Sequence, residues 1–334
     1  MPGARARAAS RTRGVRRWHL VAGALVLAAA AGASLFVGVT DLGPRDLVVG
    51  DDREAMVFLA SRVPRLVAIL LAGASMSVAG LIMQHLARNR FVAPSTAGTV
   101  ESAMLGVVVA TLLFTGASLV VKMAIAVAFA LAGTAIFLAL LRRITFRDVI
   151  LVPLVGLMFG GVIRALTTFV AYRVDLLQTL SSWTTGDFSG VLRGRYELLW
   201  LAAVVAVIAY TYADRFTMAG MGRDLSVSLG LAYERTVNVG LAIVATVTGV
   251  TVVVVGAVPF LGLIVPNLVT MALGDNLRRA LPLTALSGAA FVLACDVIGR
   301  TIRFPYEMPV GTVVGVVGSA IFLLLITRGR HRAR

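Results

Sequence analysis

Two carboxylates, Glu101 and Asp296, fall inside apolar stretches of this chain. An ionisable group in a membrane-length apolar run is a functional candidate by default. Asp296 stands four residues before Arg300, so on a helix the two share a face with the acid N-terminal to the base, the favourable order for an ion pair. A structural pair is expected there. Glu101 lies near one end of a run rich in small residues, and it suits a helix cap, a buried hydrogen-bonding group or a place on a permeation path. Arg164, in GLMFGGVIRALTTF, requires an internal partner or a snorkelling route, or it serves to attract an anionic solute. Arg62 and Arg65 flank Pro64 at the start of another apolar run. Proline is comfortable in a first helical turn, whereas two cations there oppose the helix dipole and call for an acidic partner or lipid phosphate.

Other chemistries lack their residues. Cys295 is the single cysteine, which removes disulfides and multi-cysteine metal or iron–sulfur sites. His19, His85 and His331 are far apart in sequence, with no H-x-x-x-H spacing, so neither a bound metal nor a cofactor is expected. The one lysine, Lys122, follows an apolar stretch instead of a glycine loop. With no phosphate cradle of the G-x-x-x-x-G-K-[ST] kind, any ATP hydrolysis must come from another subunit.

The elements that position these residues are membrane helices. Of 334 residues, 59% are hydrophobic and 14% charged, with mean hydropathy +0.92, far from the roughly one-quarter charged fraction of soluble domains. The fold class expected is an all-α polytopic membrane protein. Ten apolar runs are present: 18–39, 63–85, 97–114, 117–141, 149–172, 198–213, 237–258, 260–273, 281–298 and 310–327. The eighth is short, follows Pro259 and contains Pro266, so it reads as a broken helix. A basic tail (1–17), one membrane domain (18–327) and a second basic tail (328–334) account for the chain. The net charge of +15 resembles that of a nucleic-acid binder, yet ten of the 31 basic residues lie in the two tails, where anionic lipid headgroups suit them better. Counting Lys and Arg near span ends puts both termini in the cytoplasm, with twenty inside arginines against nine outside. Arg16-Arg17 followed by an apolar stretch also resembles an export signal, but the run is long enough to span and its removal would spoil the even count.

The longest cytoplasmic connection, 214–236 (DRFTMAGMGRDLSVSLGLAYERT), reads as structure. Asp224 is expected to cap a short helix through Leu229, and Gly230 to end it in a left-handed conformation. Such a knob suits docking of a cytoplasmic partner. Gly156 with Gly160, and Gly311 with Gly315, form small-x-x-x-small faces for close helix packing.

Several ordered motifs resemble one family. RVPRLVAILLAGASMSVAGLIMQHLARNRFVAPSTAGT (62–99) is similar to the R-x-P-R…G-x-x-x-Q-x-x-x-R-N-P-L-x-x-P-x-x-x-G block of FecCD-type permeases, the BtuC-like subunits of iron-siderophore and cobalamin ABC importers. GAVPFLGLIVPNL, RRALPLTALSGAAFVLACDVIGRTI and EMPVGTVVGVVGSAIFLLLI follow that family's later blocks in order. NRFV stands where N-P-L-A is usual, and Asn267 and Thr270 stand where V-P-H-x-x-R places His and Arg. Those departures, with GDF-x-x-x-x-x-GRYELL, GDNL and FPYE-x-P, look most like permeases for catecholate siderophores of the petrobactin and anguibactin type.

The resemblance implies a BtuC-like fold in the bacterial plasma membrane and four kinds of site. Arg62, Arg65 and Arg300 would meet acidic residues on a siderophore-binding (lipo)protein. The 214–236 loop, with Asp224, Ser228, Leu229, Gly230 and Leu231, would enter a cleft of a cytoplasmic ATP-binding subunit. A second permease subunit, paralogue or self, would share a translocation path along the fifth helix, where Gly156, Met158, Phe159 and Gly160 lie. Asp296 with Arg300 remains the structural pair. The chelate supplies the iron ligands, so no metal site is required of the protein. An ion-coupled secondary transporter is the rival reading, and it would expose intramembrane acids or histidines at a midplane site. A membrane-embedded enzyme would need clustered carboxylates, for which GDN at 274–276 is too slight.

Overall fold

The computed structural model describes residues 17–38, 56, 58–143 and 151–331. Residues 1–16 of the first basic tail and 332–334 of the second, together with Arg45, Arg53 and Arg147 of the topology count, lie outside the described residues. The described secondary structure is helical: α1 (Arg17–Ser34), a π-helical turn (Phe58–Arg62) leading into α2 (Val63–Leu86), α3 (Thr99–Leu113), α4 (Leu119–Arg143), α5 (Leu151–Arg173), α6 (Leu177–Thr184), α7 (Leu199–Thr211), α8 (Ala213–Gly220), α9 (Arg223–Ser228), α10 (Tyr233–Val255), α11 (Leu261–Leu273), α12 (Leu277–Thr301) and α13 (Val310–His331). Five helices are long and apolar enough to span a membrane: α2 with its preceding turn, α4, α5, α10 and α12. Four shorter apolar helices, within α1, α3, α11 and α13, and the bent pair α7–α8 match the remaining apolar runs one for one.

The break lies elsewhere than expected. α11 continues through Pro266 as one helix, and the sharp bend of 69° separates α7 from α8. Pro266 has no N–H to offer the Gly262 carbonyl one turn earlier, and that carbonyl faces Gly80 of α2 across a tight helix crossing. The defect is accommodated because protein surrounds it, the condition under which broken backbone bonding survives at membrane depth.

α2 is the axis of the fold. It packs against α7, α10, α11 and α12, and its apolar character extends all round, as a helix buried on every side requires. Its buried positions are unusually small, with Ala68, Ala72, Gly73, Ser75, Ser77, Ala79 and Gly80 allowing neighbouring backbones to approach. A Cβ at Gly80 would overlap the Gly262 backbone. Gly80→Val is therefore expected to reduce folded, detergent-extractable protein to a small fraction of wild type, scored by size-exclusion chromatography of a fluorescent fusion. A wild-type profile would show that the crossing can relax. α5, by contrast, is a peripheral helix that buries one edge against α3 and leaves the other side uncovered.

Candidate docking and translocation sites

At one end of the bundle the chain brings α1, α2, α12 and the 302–309 turn together around Asp296, which is fully buried. Arg65 reaches Asp296 Oδ1 through Nη2 (2.8 Å) and Nε (3.0 Å), and its Nη1 donates to Glu307 Oε2 at 2.6 Å. Arg300 Nη2 donates to the other oxygen, Asp296 Oδ2, while Nη1 donates to the carbonyls of Ser34 and Val37 at the end of α1. Arg62 Nη1 donates to the Leu35 carbonyl at 2.7 Å. A cavity of about 170 Å³ lies beside them, lined by Arg62, Arg65, Arg300 and Glu307 with Leu35 and Gly38.

This geometry revises two expectations. The acids that offset Arg65 at the α2 N-terminus come from the same chain, because folding brings Asp296 and Glu307 against it. Arg300 is 9% exposed, with its guanidinium committed inward, so it is not an outward-facing cation. The sequence reading paired Asp296 with Arg300 but missed Arg65 and Glu307, which lie 231 and 11 residues from Asp296. No periodic signal spans the first separation.

The 213–236 connection is built as a compact knob. α8 and α9 are separated by Gly222, whose φ of 109° turns the chain, and Gly222 stands at the N-cap of α9. Asp224 is thus not the cap: it occupies the first turn of α9, and its carbonyl accepts from Ser228 Oγ at 2.8 Å. Gly230 has φ +80°, with its N–H bonded to the Val227 carbonyl and the Leu231 N–H to the Ser226 carbonyl. That paired pattern is a Schellman termination. Ser226 anchors the turn by donating to the Met218 carbonyl at 2.7 Å, which leaves Met221, Leu225, Val227 and Leu229 more than half exposed. Leu225, Val227 and Met221 were not singled out from the sequence, where positions two apart mark no common face of a helix.

Along α5 the four expected path residues divide between faces. Gly156 is buried against the Thr96 carbonyl and the Phe137 ring, and Gly160 against Gly98 and the Glu101 carboxylate. Phe159 is half-buried with its ring against Gly98. Met158 alone of the four lies on the uncovered face, 67% exposed, in company with Leu154, Leu157, Val162, Leu166, Phe169 and Tyr172. Helical periodicity puts 156 and 160 on the side opposite 158. Glu101 and Arg164, treated separately in sequence, meet: Arg164 Nη2 donates to Glu101 Oε1 at 2.8 Å.

The described residues, helical throughout with close small-residue crossings, membrane-length apolar helices and an exposed apolar knob at one end, define a class: a multi-pass helical membrane protein. The chain belongs to the FecCD transport family, whose sequence model matches residues 25–328. It is 53% identical over 300 residues to the petrobactin import system permease protein YclN of Bacillus subtilis, covering 90% of this chain and 95% of that protein. It is 41% identical over 296 residues to the ferric-anguibactin transport system permease protein FatD of Vibrio anguillarum, covering 89% and 94%. Among solved structures, an inward-facing metal-chelate type ABC transporter superposes with a TM-score of 0.80 at 22% identity, covering 94% of this chain and all of that one. That likeness establishes the BtuC-like permease fold.

Proposed function

We propose that this chain is the membrane-spanning permease subunit of an ABC importer that carries a ferric catecholate siderophore of the petrobactin type across the bacterial plasma membrane. The observation that carries this reading is the 53% identity to the petrobactin permease over nine-tenths of the chain. In this reading the chain works as one of a pair of permease subunits, a paralogue or a second copy completing the path. Cytoplasmic ATP-binding subunits supply the energy and an extracytoplasmic binding protein delivers the chelate. Both termini lie in the cytoplasm, as the arginine distribution favours.

The exposure of the knob and the position of the arginines support a set of docking roles. The α8–α9 knob, with Leu225, Val227 and Leu229 beside Ser228, Gly230 and Leu231, seats in the ATP-binding subunit. Arg62 and Arg65, at the rim of the small cavity, receive the binding protein, with Arg300 supporting them from below through Asp296. Met158 and the uncovered face of α5 border the path. Nucleotide-driven closure of the ATP-binding subunits shifts the knob, and the helix interface opens to one side at a time.

Uptake of radiolabelled iron by a strain deleted for this gene is the direct test. Complementation is expected to restore uptake with petrobactin and to leave a hydroxamate chelate unaffected. Uptake that depends on an ion gradient and persists without any ATP-binding subunit would overturn the assignment in favour of a secondary transporter.

A further inference from the structure

Arg164 is a largely exposed cation on a spanning helix, tied to the rest of the fold by Glu101 alone among the described ion pairs. It lies near the middle of α5, its side chain 71% exposed, in the helical row of Gly160, Gly161 and Thr168, at the edge where α5 meets α3. A guanidinium on an otherwise apolar membrane-depth surface is costly, and such groups are kept for a function or paired inside the protein. Here the pairing is partial. Glu101, buried to 7% exposure in the first turn of α3, takes one N–H of Arg164 through Oε1, while its Oε2 is buried with no hydrogen-bond partner. Glycine at 160 leaves the space this carboxylate occupies, since a Cβ there would lie 3.3 Å from Glu101 Cδ. A cavity of about 250 Å³ adjoins the pair, lined by Glu101, Met104, Arg164, Thr168, Ser181 and Thr184. A second hollow, on the α5 surface, shares Arg164 and Thr168 with it.

Glu101 therefore acts as a buried tether that fixes one edge of the guanidinium and leaves the other N–H groups facing open space. A planar fork of donors held this way matches paired anionic oxygens, such as those of a carboxylate or a deprotonated catechol. The hydroxyls of Thr168 and Ser181 extend the polar patch. Ferric chelates made by catecholate oxygens carry net negative charge, because each catechol contributes two negative oxygens.

We infer that Arg164, positioned by Glu101, is an anion-selecting contact for the chelate during its passage along α5, and that it favours negatively charged ferric chelates. This rests on the import reading above. In transport terms the contact is a transient one, met in passing: one cation in an apolar wall attracts the chelate to the path without the many-sided grip that would trap it.

The test uses the complete importer, with its binding protein and ATP-binding subunits, in proteoliposomes, and radio-iron-loaded petrobactin as the probe. Wild-type vesicles must show ATP-dependent uptake; if they do not, the import reading itself fails. Arg164→Gln is expected to lower uptake at least tenfold while binding-protein-stimulated ATP hydrolysis stays within twofold of wild type. Arg164→Lys is expected to recover part of the rate. The double variant Glu101→Gln with Arg164→Gln removes the buried charge and its partner together, and it is expected to fold normally yet remain defective in uptake. Recovery of wild-type uptake in the double variant would reduce the pair to a structural role and overturn the inference. So would wild-type uptake by Arg164→Gln.

Discussion

Replacing Leu225 and Leu229 together with aspartate is expected to abolish iron-chelate uptake while the permease remains folded and in the membrane. Both side chains are more than half exposed on the α8–α9 knob, so the change costs little in the isolated subunit. In the assembled importer the same leucines would be the apolar centre of the contact with the ATP-binding subunit. Buried apolar anchors of that kind contribute about 2 kcal/mol or more each when truncated, and a charge in their place adds a desolvation cost. Loss of association by more than a hundredfold follows from two such sites. Co-purification of the ATP-binding subunit, together with uptake in whole cells, measures it; retained association would remove the knob from the coupling path. Gly230→Val tests the same element through the backbone. Its φ of +80° suits glycine, and a β-branched residue there costs about 1–2 kcal/mol of strain, enough to shift the Schellman turn and the leucines it presents. Asp224→Ala should be far milder, because Gly222 and not Asp224 starts the helix.

The second large effect is expected at Asp296. Its two oxygens serve Arg65 and Arg300, and its own side chain is fully buried. Asp296→Asn keeps the shape and removes the charge, leaving the two arginines with Glu307 and carbonyl oxygens alone. Breaking a buried ion pair from one side typically costs about 3–5 kcal/mol, since the remaining charge stays desolvated. A large drop in thermal stability in detergent, with reduced protein in the membrane, is the expected reading. Arg300→Met in the same chain removes one stranded charge and should recover part of that loss. Unchanged melting of Asp296→Asn would mean that the cluster is solvated enough to manage without its anion. The double variant separates this network from docking: a structural network recovers with charge balance, while a docking surface that needs Arg300 does not.

What the chain's own text settles is set by local physics. Hydropathy over about twenty residues, the length needed to cross a hydrocarbon core, located all ten apolar segments, and the left-handed turn at Gly230 followed from glycine's freedom at positive φ. The Asp296–Arg300 pair was legible because helical periodicity brings residues four apart to one face. Ordered motifs along the chain likewise pointed to the FecCD family, and the family match covers residues 25–328. Contacts between distant helices were not legible, since nothing local encodes them. Arg65 meets Asp296 across 231 residues and Arg164 meets Glu101 across 63, each pairing fixed only when the helices pack. The same packing decided which side of α5 is covered, sending Gly156 and Gly160 inward and Met158 outward. It also moved the helical break from Pro266 to the α7–α8 junction. A proline predicts a lost hydrogen bond, but whether the helix bends depends on the neighbours that hold it straight.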